Sequence, residues 1–176
     1  MLSEREVLST LEMVRYENLD VRTVTLGISL FDCASDDLEL FKSKIYGRIT
    51  GLAKRLVEVC DEYGDKYGIP VVNKRISISP IAVAGAPFDA AGMVEIAKTL
   101  DKAAKAVDVD FIGGFSALVE KGMARGDLAL IEALPQALTE TDRICAAVNV
   151  ASTRAGINMD AVALMGRTLR EAAAMT

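Results

Sequence analysis

The chain has 176 residues, of which 51% are hydrophobic and 26% are charged, and this composition is typical of a globular protein with a substantial core. Its formal net charge of −5 counts against binding to nucleic acid. The sequence contains no histidine, which excludes the usual zinc ligand sets and Ser-His-Asp catalysis. Because no apolar run could span a membrane and the first residues do not resemble a secretory signal, we expect a cytoplasmic protein.

The first part of the chain predicts a short helix, a strand and a long helix. Ser3 and Glu6 have the spacing of a capping box, which predicts a helix start. The stretch VRTVTLGISL alternates between apolar and small or polar residues, as a strand does. Apolar residues then recur with a period of 3.6 over residues 36–62, which predicts one long amphipathic helix.

The same order recurs along the rest of the chain. VVNKRISIS predicts a second strand, and residues 89–107 a second long helix with Asp89 as its N-cap. VDFIGGF predicts a third strand, followed over residues 126–142 by a helix that we expect Pro135 to break or restart. RICAAVNVAS predicts a fourth strand, and residues 158–176 a closing helix. Repeated strand-helix units indicate an α/β fold with a mainly parallel sheet, in a single module spanning residues 1–176.

The first two strands have a polar side, which is unusual for a parallel sheet. Thr23, Thr25 and Gly27 share one side of the first strand, while Asn73 and Arg75 share one side of the second. Parallel strands covered by helices on both faces are normally apolar on both. We therefore expect one side to pack on helices and the other to line an interior, as in a barrel. The alternative is an edge strand whose polar side faces solvent.

The residues most suited to binding a ligand lie on these polar sides and in the loops after the strands, where α/β proteins form their sites. The predicted ligand-binding residues are Asn73, Arg75, Ser79, Gly113, Gly114, Ser152, Thr153, Arg154 and Asn158. If the units are parallel, we expect this set to converge on one rim of the sheet. The sequence identifies no catalytic residue and no cofactor, and it contains neither a GxGxxG nor a GxxxxGKS or GxxxxGKT nucleotide motif.

Two parts of this set have a structural alternative. We expect Gly113 and Gly114 to end the third strand, where they allow close approach of either a ligand or another strand. Ser152, Thr153 and Arg154 precede a helix N-terminus and suit an anion, although the two hydroxyl residues equally suit a simple turn.

The cysteines and the clustered acids predict no further chemistry. Cys33 is expected to be a half-buried inert thiol, and Cys60 lies on the apolar stripe of a helix and is expected in the core. Asp32, Asp36 and Asp37 could suggest a metal, but acids just before a helix are more typical of surface charge that matches the helix dipole. We predict no metal site.

Four stretches resemble a known family in the same order: RTVTLGISLFDC, GIPVVNKRISISPI, AKTLDKAAKAVDVDFIGGFSALVEKG and ASTRAGINMDAV. They resemble the uncharacterised bacterial PFL-like protein family, domain of unknown function 711. The resemblance implies a fold similar to the ten-stranded α/β barrel of pyruvate formate-lyase, built from two halves of five parallel strands. Family members are more than twice as long, so the resemblance implies that this chain is the N-terminal part of a larger barrel domain.

The resemblance does not extend to glycyl-radical chemistry, because the sequence contains no RVxGY stretch and no adjacent cysteines. Two hypotheses of function therefore remain. The chain is either an enzyme or enzyme fragment that binds a small polar or anionic molecule at the C-terminal ends of its strands, or a non-catalytic binding or regulatory module that acts through self-association as a homo-oligomer.

Overall fold

Strands and helices alternate through most of the chain, in a computed structural model that describes residues 3–17 and 20–176. The first half contains α1 (Glu4–Glu12), a π-helical turn (Met13–Glu17), β1 (Val21–Ile28), a 3-10 turn (Phe31–Cys33), α2 (Leu38–Ala53), α3 (Leu56–Tyr67) and β2 (Val71–Ile78). The second half contains α4 (Ile81–Ala84), α5 (Ala90–Ala106), β3 (Phe111–Leu118), α6 (Arg125–Thr139), β4 (Ile144–Asn149), the short strands β5 (Ala151–Ser152) and β6 (Gly156–Ile157), and α7 (Met159–Met175).

The four long strands form one parallel sheet in the order β1-β2-β3-β4. Each strand pairs with the next one along the chain, and at least one helix connects each pair. This confirms the α/β fold with a parallel sheet that the repeated strand-helix pattern predicts. β5 and β6 pair antiparallel as a small hairpin after β4, and this hairpin replaces the predicted end of the fourth strand.

One face of the sheet packs against the helices. Leu26 pairs in register with Ile76, which pairs with Ile112, and Ile112 pairs with Ile144. This row belongs to the same apolar core as the inner faces of α2, α5 and α6. Burying such aliphatic side chains stabilises a fold by about 1.5–3 kcal/mol each relative to exposure, so this row is a main source of stability.

The other face is not covered by a helix of the described chain, and we call it the open face. Its side chains alternate with the buried ones and are all exposed or half-buried. The residues of the open face are Val21, Thr23, Thr25, Gly27, Val71, Asn73, Arg75, Ser77, Phe111, Gly113, Ser116, Leu118, Cys145, Ala147 and Asn149. The two-sided character predicted for the strands is therefore present in all four.

A bulge in β3 corrects the prediction that Gly113 and Gly114 end the third strand. Both lie inside β3, where the pairing passes from Gly113–Cys145 directly to Phe115–Ala146 and leaves Gly114 as an extra residue. Gly114 has a φ of 123°, and a Cβ atom there would lie 2.5 Å from the carbonyl oxygen of Ile78. Close packing against β2 therefore explains this glycine, as the structural alternative proposed.

Two helix predictions are also wrong. The helix expected over residues 36–62 is divided into α2 and α3, with only Lys54 and Arg55 between them. Both helices have an apolar stripe, so the apolar period continues through both and does not show where the first helix ends and the second begins. Pro135 does not break α6, which continues through it. Pro135 is buried, and the packing of α6 between α5 and α7 compensates for the helical hydrogen bond that proline cannot make.

The predicted helix starts are confirmed where the sequence marked them. Ser3 and Glu6 form the capping box of α1, and the Asp89 carboxylate caps α5 by accepting from the backbone N–H of Gly92 at 2.9 Å. Within residues 3–17 and 20–176, no helix has the length and apolar character that a membrane crossing requires.

Candidate functional site

Two neighbouring rows of the open face form a shallow trough. In the first row Thr25 pairs with Arg75, which pairs with Phe111, and the next row toward the strand ends is Gly27, Ser77, Gly113 and Cys145. A Cβ atom on Gly27 or Gly113 would meet no other atom within 4 Å. Because glycines stand on both sides of Ser77, unfilled space surrounds its hydroxyl group. We call this space, with Ser77 at its centre and Arg75 beside it, the glycine trough.

Arg75 borders the trough, and its side chain has no polar partner among the residues that the structure describes. Its guanidinium carbon lies 5.5 Å from the centroid of the Phe111 ring, a distance at which a cation is attracted to the ring face. Its Nε atom is buried without a hydrogen-bond partner. No carboxylate among the described residues forms an ion pair with it. Phe111 therefore orients a guanidinium group whose donors are not used by the described part of the fold.

Two other predicted site residues hold the strands together. Asn73 donates from Nδ2 to the backbone carbonyl of Arg22 at 3.2 Å, which ties β2 to β1. The Ser79 hydroxyl accepts from the backbone N–H of Leu30 at 3.1 Å and joins the segments that follow the same two strands. Both side chains have structural roles, so they are less free than Arg75 to bind a ligand.

The predicted residues after β4 form the hairpin and the start of α7. The Ser152 hydroxyl accepts from the backbone N–H of Ala155 at 3.1 Å, which makes Ser152 and Thr153 part of a turn. Asn158 caps α7 through Oδ1 and also donates from Nδ2 to the carbonyl of Val119 at 2.7 Å. Thr153 and Arg154 are exposed.

The nine predicted residues do not form a single cluster. Asn73, Arg75 and Gly113 lie on the open face within strands, whereas Ser79 and the hairpin residues lie at the C-terminal rim. The row of Arg75 lies one residue before that of Ile144, and the hairpin begins only at Ala151. At roughly 3.3 Å per residue, about 20 Å separates the row of Arg75 from the end of β4 at Asn149, after which the hairpin follows. The predicted convergence on one rim therefore does not occur within this chain.

Some residues of the trough were not selected by sequence reasoning. The alternation of the first two strands identifies the side on which Gly27 and Ser77 lie, so their placement was accessible from the pattern. Nothing in the sequence indicates that Phe111 supports Arg75 or that Cys145 joins the same row, because both depend on the register between strands.

The three cysteines differ in exposure. Cys33 is 4% exposed, so it is buried rather than half-buried as expected, and Cys60 lies in the core at 5% as predicted. Burial raises the pKa of both thiols; at Cys33 the neighbouring Asp32 carboxylate raises it further, while Arg48 and Lys44 oppose the shift. Cys145 is exposed on the open face.

The acidic residues near α2 have structural partners. Asp37 caps α2 by accepting from the backbone N–H of Leu40 at 2.9 Å, and an oxygen of Asp32 lies 3.5 Å from a guanidinium nitrogen of Arg48. No group of three potential metal-binding side chains comes together among the residues that the structure describes. These contacts agree with a role in helix capping and surface charge.

Comparison with known proteins finds one matching family profile and several relatives that are longer than this chain. A family profile described as "Uncharacterised ACR (DUF711)" matches residues 12–176. A UPF0210 protein from Desulfovibrio desulfuricans is 69% identical over all of this chain, which covers 38% of that relative. UPF0210 proteins from Syntrophobacter fumaroxidans and Methanosarcina mazei are 63% and 53% identical, again over all of this chain and over 38% and 39% of their own lengths.

These relatives correct one expectation and are much longer than this chain. Methanosarcina is an archaeon, so the restriction to bacteria implied by the resemblance is wrong. The chain spans less than two fifths of the length of these curated relatives.

Proposed function

The chain belongs to the uncharacterised DUF711 family, and from its geometry we propose that the open face binds a small polar molecule as one wall of a site in the protein at its native length. The glycine trough is the observation that carries this proposal. It combines a hydroxyl group, a guanidinium group and unfilled space on a face that no described helix covers. Sheet faces that are covered by helices in α/β proteins are filled with aliphatic side chains instead.

The polarity of the open face supports a ligand over simple burial against another part of the protein. Covering Ser77 or Thr25 with apolar groups would leave each hydroxyl without a partner, which costs about 1–3 kcal/mol per group. Small ligands are usually held in concave sites by a few polar groups placed among apolar ones. Phe111 and Leu118 supply the apolar part on the same face.

The trough can be filled by mutation without disturbing the fold. Gly27→Val and Gly113→Val place side chains where no atom now lies within 4 Å of the new Cβ, and valine is favoured in strands. We expect both variants to fold with unchanged or higher thermal stability and to lose ligand binding. Gly166→Ala in α7 fills similarly open space away from the sheet and is the matched control, for which binding should not change.

The measurement is binding to the protein at its native length. A panel of small carboxylates, amides, polyols and inorganic phosphate would be screened by ligand-observed NMR, and each hit would be repeated with the three variants. If no compound binds, or if the two valine variants bind as well as the Gly166→Ala control, the open face is not the site.

Exposed apolar residues on α7 favour a second candidate, self-association as a non-catalytic module. Leu169 is 63% exposed and Val162 is 37% exposed on one side of α7, next to the side that packs against α6. Exposed apolar helix faces commonly mark an interface. Light scattering at low micromolar concentration tests this candidate, since we expect a dimer or larger species and a strict monomer contradicts it.

A further inference from the structure

The Arg75 side chain is an exception among the half-buried cations of this protein. The other half-buried cations are Lys42, Lys74, Lys98 and Arg143, and each forms an ion pair with at least one carboxylate. Arg75 is half-buried like them but forms no ion pair with any carboxylate in the described part of the chain. Partial removal from water makes an unpaired charge unfavourable, so a partner from outside the described residues would stabilise it.

The open face around Arg75, as far as the structure describes it, contains no acidic side chain that could serve as this partner. None of the fifteen open-face residues is Asp or Glu, although the whole chain contains 25 acidic and 20 basic residues. Asp110, the residue before Phe111, accepts instead from the backbone N–H of Lys74 at 2.7 Å. The open face therefore carries a single formal charge, which is positive, on a protein that is negative overall.

The geometry leaves the ends of the guanidinium group available. Its Nε atom is enclosed by protein atoms, so the terminal nitrogens are the donors that a ligand can reach. The Phe111 ring supports the planar group from one side. Strand residues two apart point to the same face, so the Ser77 hydroxyl lies roughly 7 Å farther along it, across the open space beside Gly27 and Gly113.

From these observations we infer that the ligand of the glycine trough is a small anion, with a carboxylate or phosphate group bound by the Arg75 guanidinium and the rest of the molecule lying toward Ser77. This inference rests on the proposed ligand site and specifies its chemical class. The planar guanidinium group donates paired hydrogen bonds that match both carboxylate and phosphate oxygens. Each such molecule would also supply the negative charge that the open face lacks.

The test compares anions with uncharged analogues of the same shape. Acetate, pyruvate and succinate would be titrated into the native-length protein beside acetamide, pyruvamide and succinamide, and inorganic phosphate would be titrated separately. We expect at least one anion to bind and its uncharged analogue to bind at least tenfold more weakly. The two arms distinguish a carboxylate site from a phosphate site.

Variants of Arg75 then test whether this residue binds the charged group of the anion. Arg75→Gln should weaken the anion by roughly 10- to 100-fold, the effect of losing hydrogen bonds to a charged group. Arg75→Lys keeps the charge but loses the planar pair of donors, so its affinity for the anion should fall between those of the unmutated protein and Arg75→Gln. Arg22→Gln removes an exposed guanidinium group from β1 and should leave binding unchanged.

The outcomes separate this inference from the proposal on which it rests. If the amides bind as tightly as the acids, or if Arg75→Gln retains full affinity, the anion assignment is wrong and the trough remains a site for neutral ligands. If neither class binds, both the site and the anion assignment are rejected. An acidic side chain from elsewhere in the native protein could satisfy Arg75 instead. In that case Arg75→Gln would lower the stability of the protein even without added anion, and the unmutated protein would bind no anion. This result also overturns the inference.

Discussion

At the residue scale, Gly114 is a position where the backbone tolerates little change. A Cβ atom there would lie 2.5 Å from both Cγ1 and the carbonyl oxygen of Ile78, and the φ of 123° is unfavourable for any other residue. We expect Gly114→Ala to lower the free energy of unfolding by about 2 kcal/mol or more. The matched control is Gly113→Ala, whose new methyl group meets no atom within 4 Å and should cost little. Urea unfolding of the two variants gives the comparison, and equal midpoints would contradict it.

Asp101 is a buried carboxylate that connects α5 to the start of β4. One oxygen accepts from the backbone N–H groups of Asp142 and Arg143 at 3.0 and 2.8 Å, and the other lies 2.7 Å from Nζ of Lys105. Burial alone would raise the pKa of Asp101, but the hydrogen bonds from Lys105 and from the two backbone groups outweigh burial and lower the pKa. The folded protein therefore holds Asp101 ionised more strongly than the unfolded chain does.

A lowered pKa in the folded state predicts a specific dependence of stability on pH. The stabilisation is fully present above the unfolded aspartate pKa of about 4 and is lost as the pH falls through the lower pKa of the folded state. Asp101→Asn should reduce the free energy of unfolding by about 1–3 kcal/mol at pH 7, with a smaller difference from the unmutated protein below pH 4. Asp142→Asn, at an exposed side chain, is the control and should change little. Urea unfolding at pH 7, 5 and 3 measures this, and a difference independent of pH would contradict it.

The cysteines predict a simple order of chemical reactivity. Cys145 is exposed, whereas Cys33 and Cys60 are buried and burial raises the pKa of their thiols, which lowers the reactive thiolate fraction. We expect iodoacetamide at pH 8 to label Cys145 first and the other two only on unfolding. Mass spectrometry of peptides over time measures this order. Labelling of Cys33 at the rate of Cys145 would show that the core around α2 opens readily.

At the scale of elements, α1 differs from the other helices because it contributes no buried residue. Leu11 is 57% exposed, whereas Leu100 on α5 is fully buried. Leu11→Ala should therefore change the free energy of unfolding by less than about 0.5 kcal/mol, while the same substitution at Leu100 should lower it by about 2–5 kcal/mol. Chemical denaturation of the two variants tests this. A large effect at Leu11 in the native-length protein would indicate that α1 packs against a region outside this chain.

The elements also show which parts of the fold sequence patterns could predict. Alternation and helical periodicity identified all four long strands and the order of units, because each depends on neighbours a few residues away. The division between α2 and α3, the continuity of α6 through Pro135 and the β5–β6 hairpin were missed. The continuity of α6 depends on its packing against α5 and α7, which overrides the local preference of proline. The hairpin is a local pairing of Ala151 with Ile157 and Ser152 with Gly156, which the apolar pattern of the fourth strand did not reveal.

At the scale of the whole molecule, self-association is the prediction that the exposed side of α7 supports. If Leu169 and Val162 form an interface between two copies, Leu169→Lys should shift the protein toward the monomer. The reason is that burying an unpaired lysine in an apolar contact is unfavourable. Light scattering compares this variant with Lys102→Leu, an apolar substitution at an exposed position on α5. An unchanged mass for Leu169→Lys would show that this side of α7 is not the interface.

The candidate site was only partly predictable, and the reason lies in how the whole sheet is assembled. The polar side of β2 pointed to Arg75 from sequence alone. Its support by Phe111 and the space beside Ser77 depend on the pairing of three strands. The expected meeting of Arg75 with the 152–158 segment was not found. Polarity shows on which side of a strand a residue lies, but it does not show how far along the strand direction two residues are separated.

The extra residue at Gly114 determines where β3 can lose or gain a residue without reversing the sides on which its side chains lie. After the bulge, Phe115 and Ala117 point toward the helices, and Ser116 and Leu118 point to the open face. If residue 114 were deleted, the alternation of residues 111–113 would continue directly into this pattern. A relative with one residue fewer here could therefore keep every side chain on its present side of the sheet. A deletion elsewhere in the strand would turn the downstream side chains over, so insertions and deletions in this strand should be confined to that one glycine.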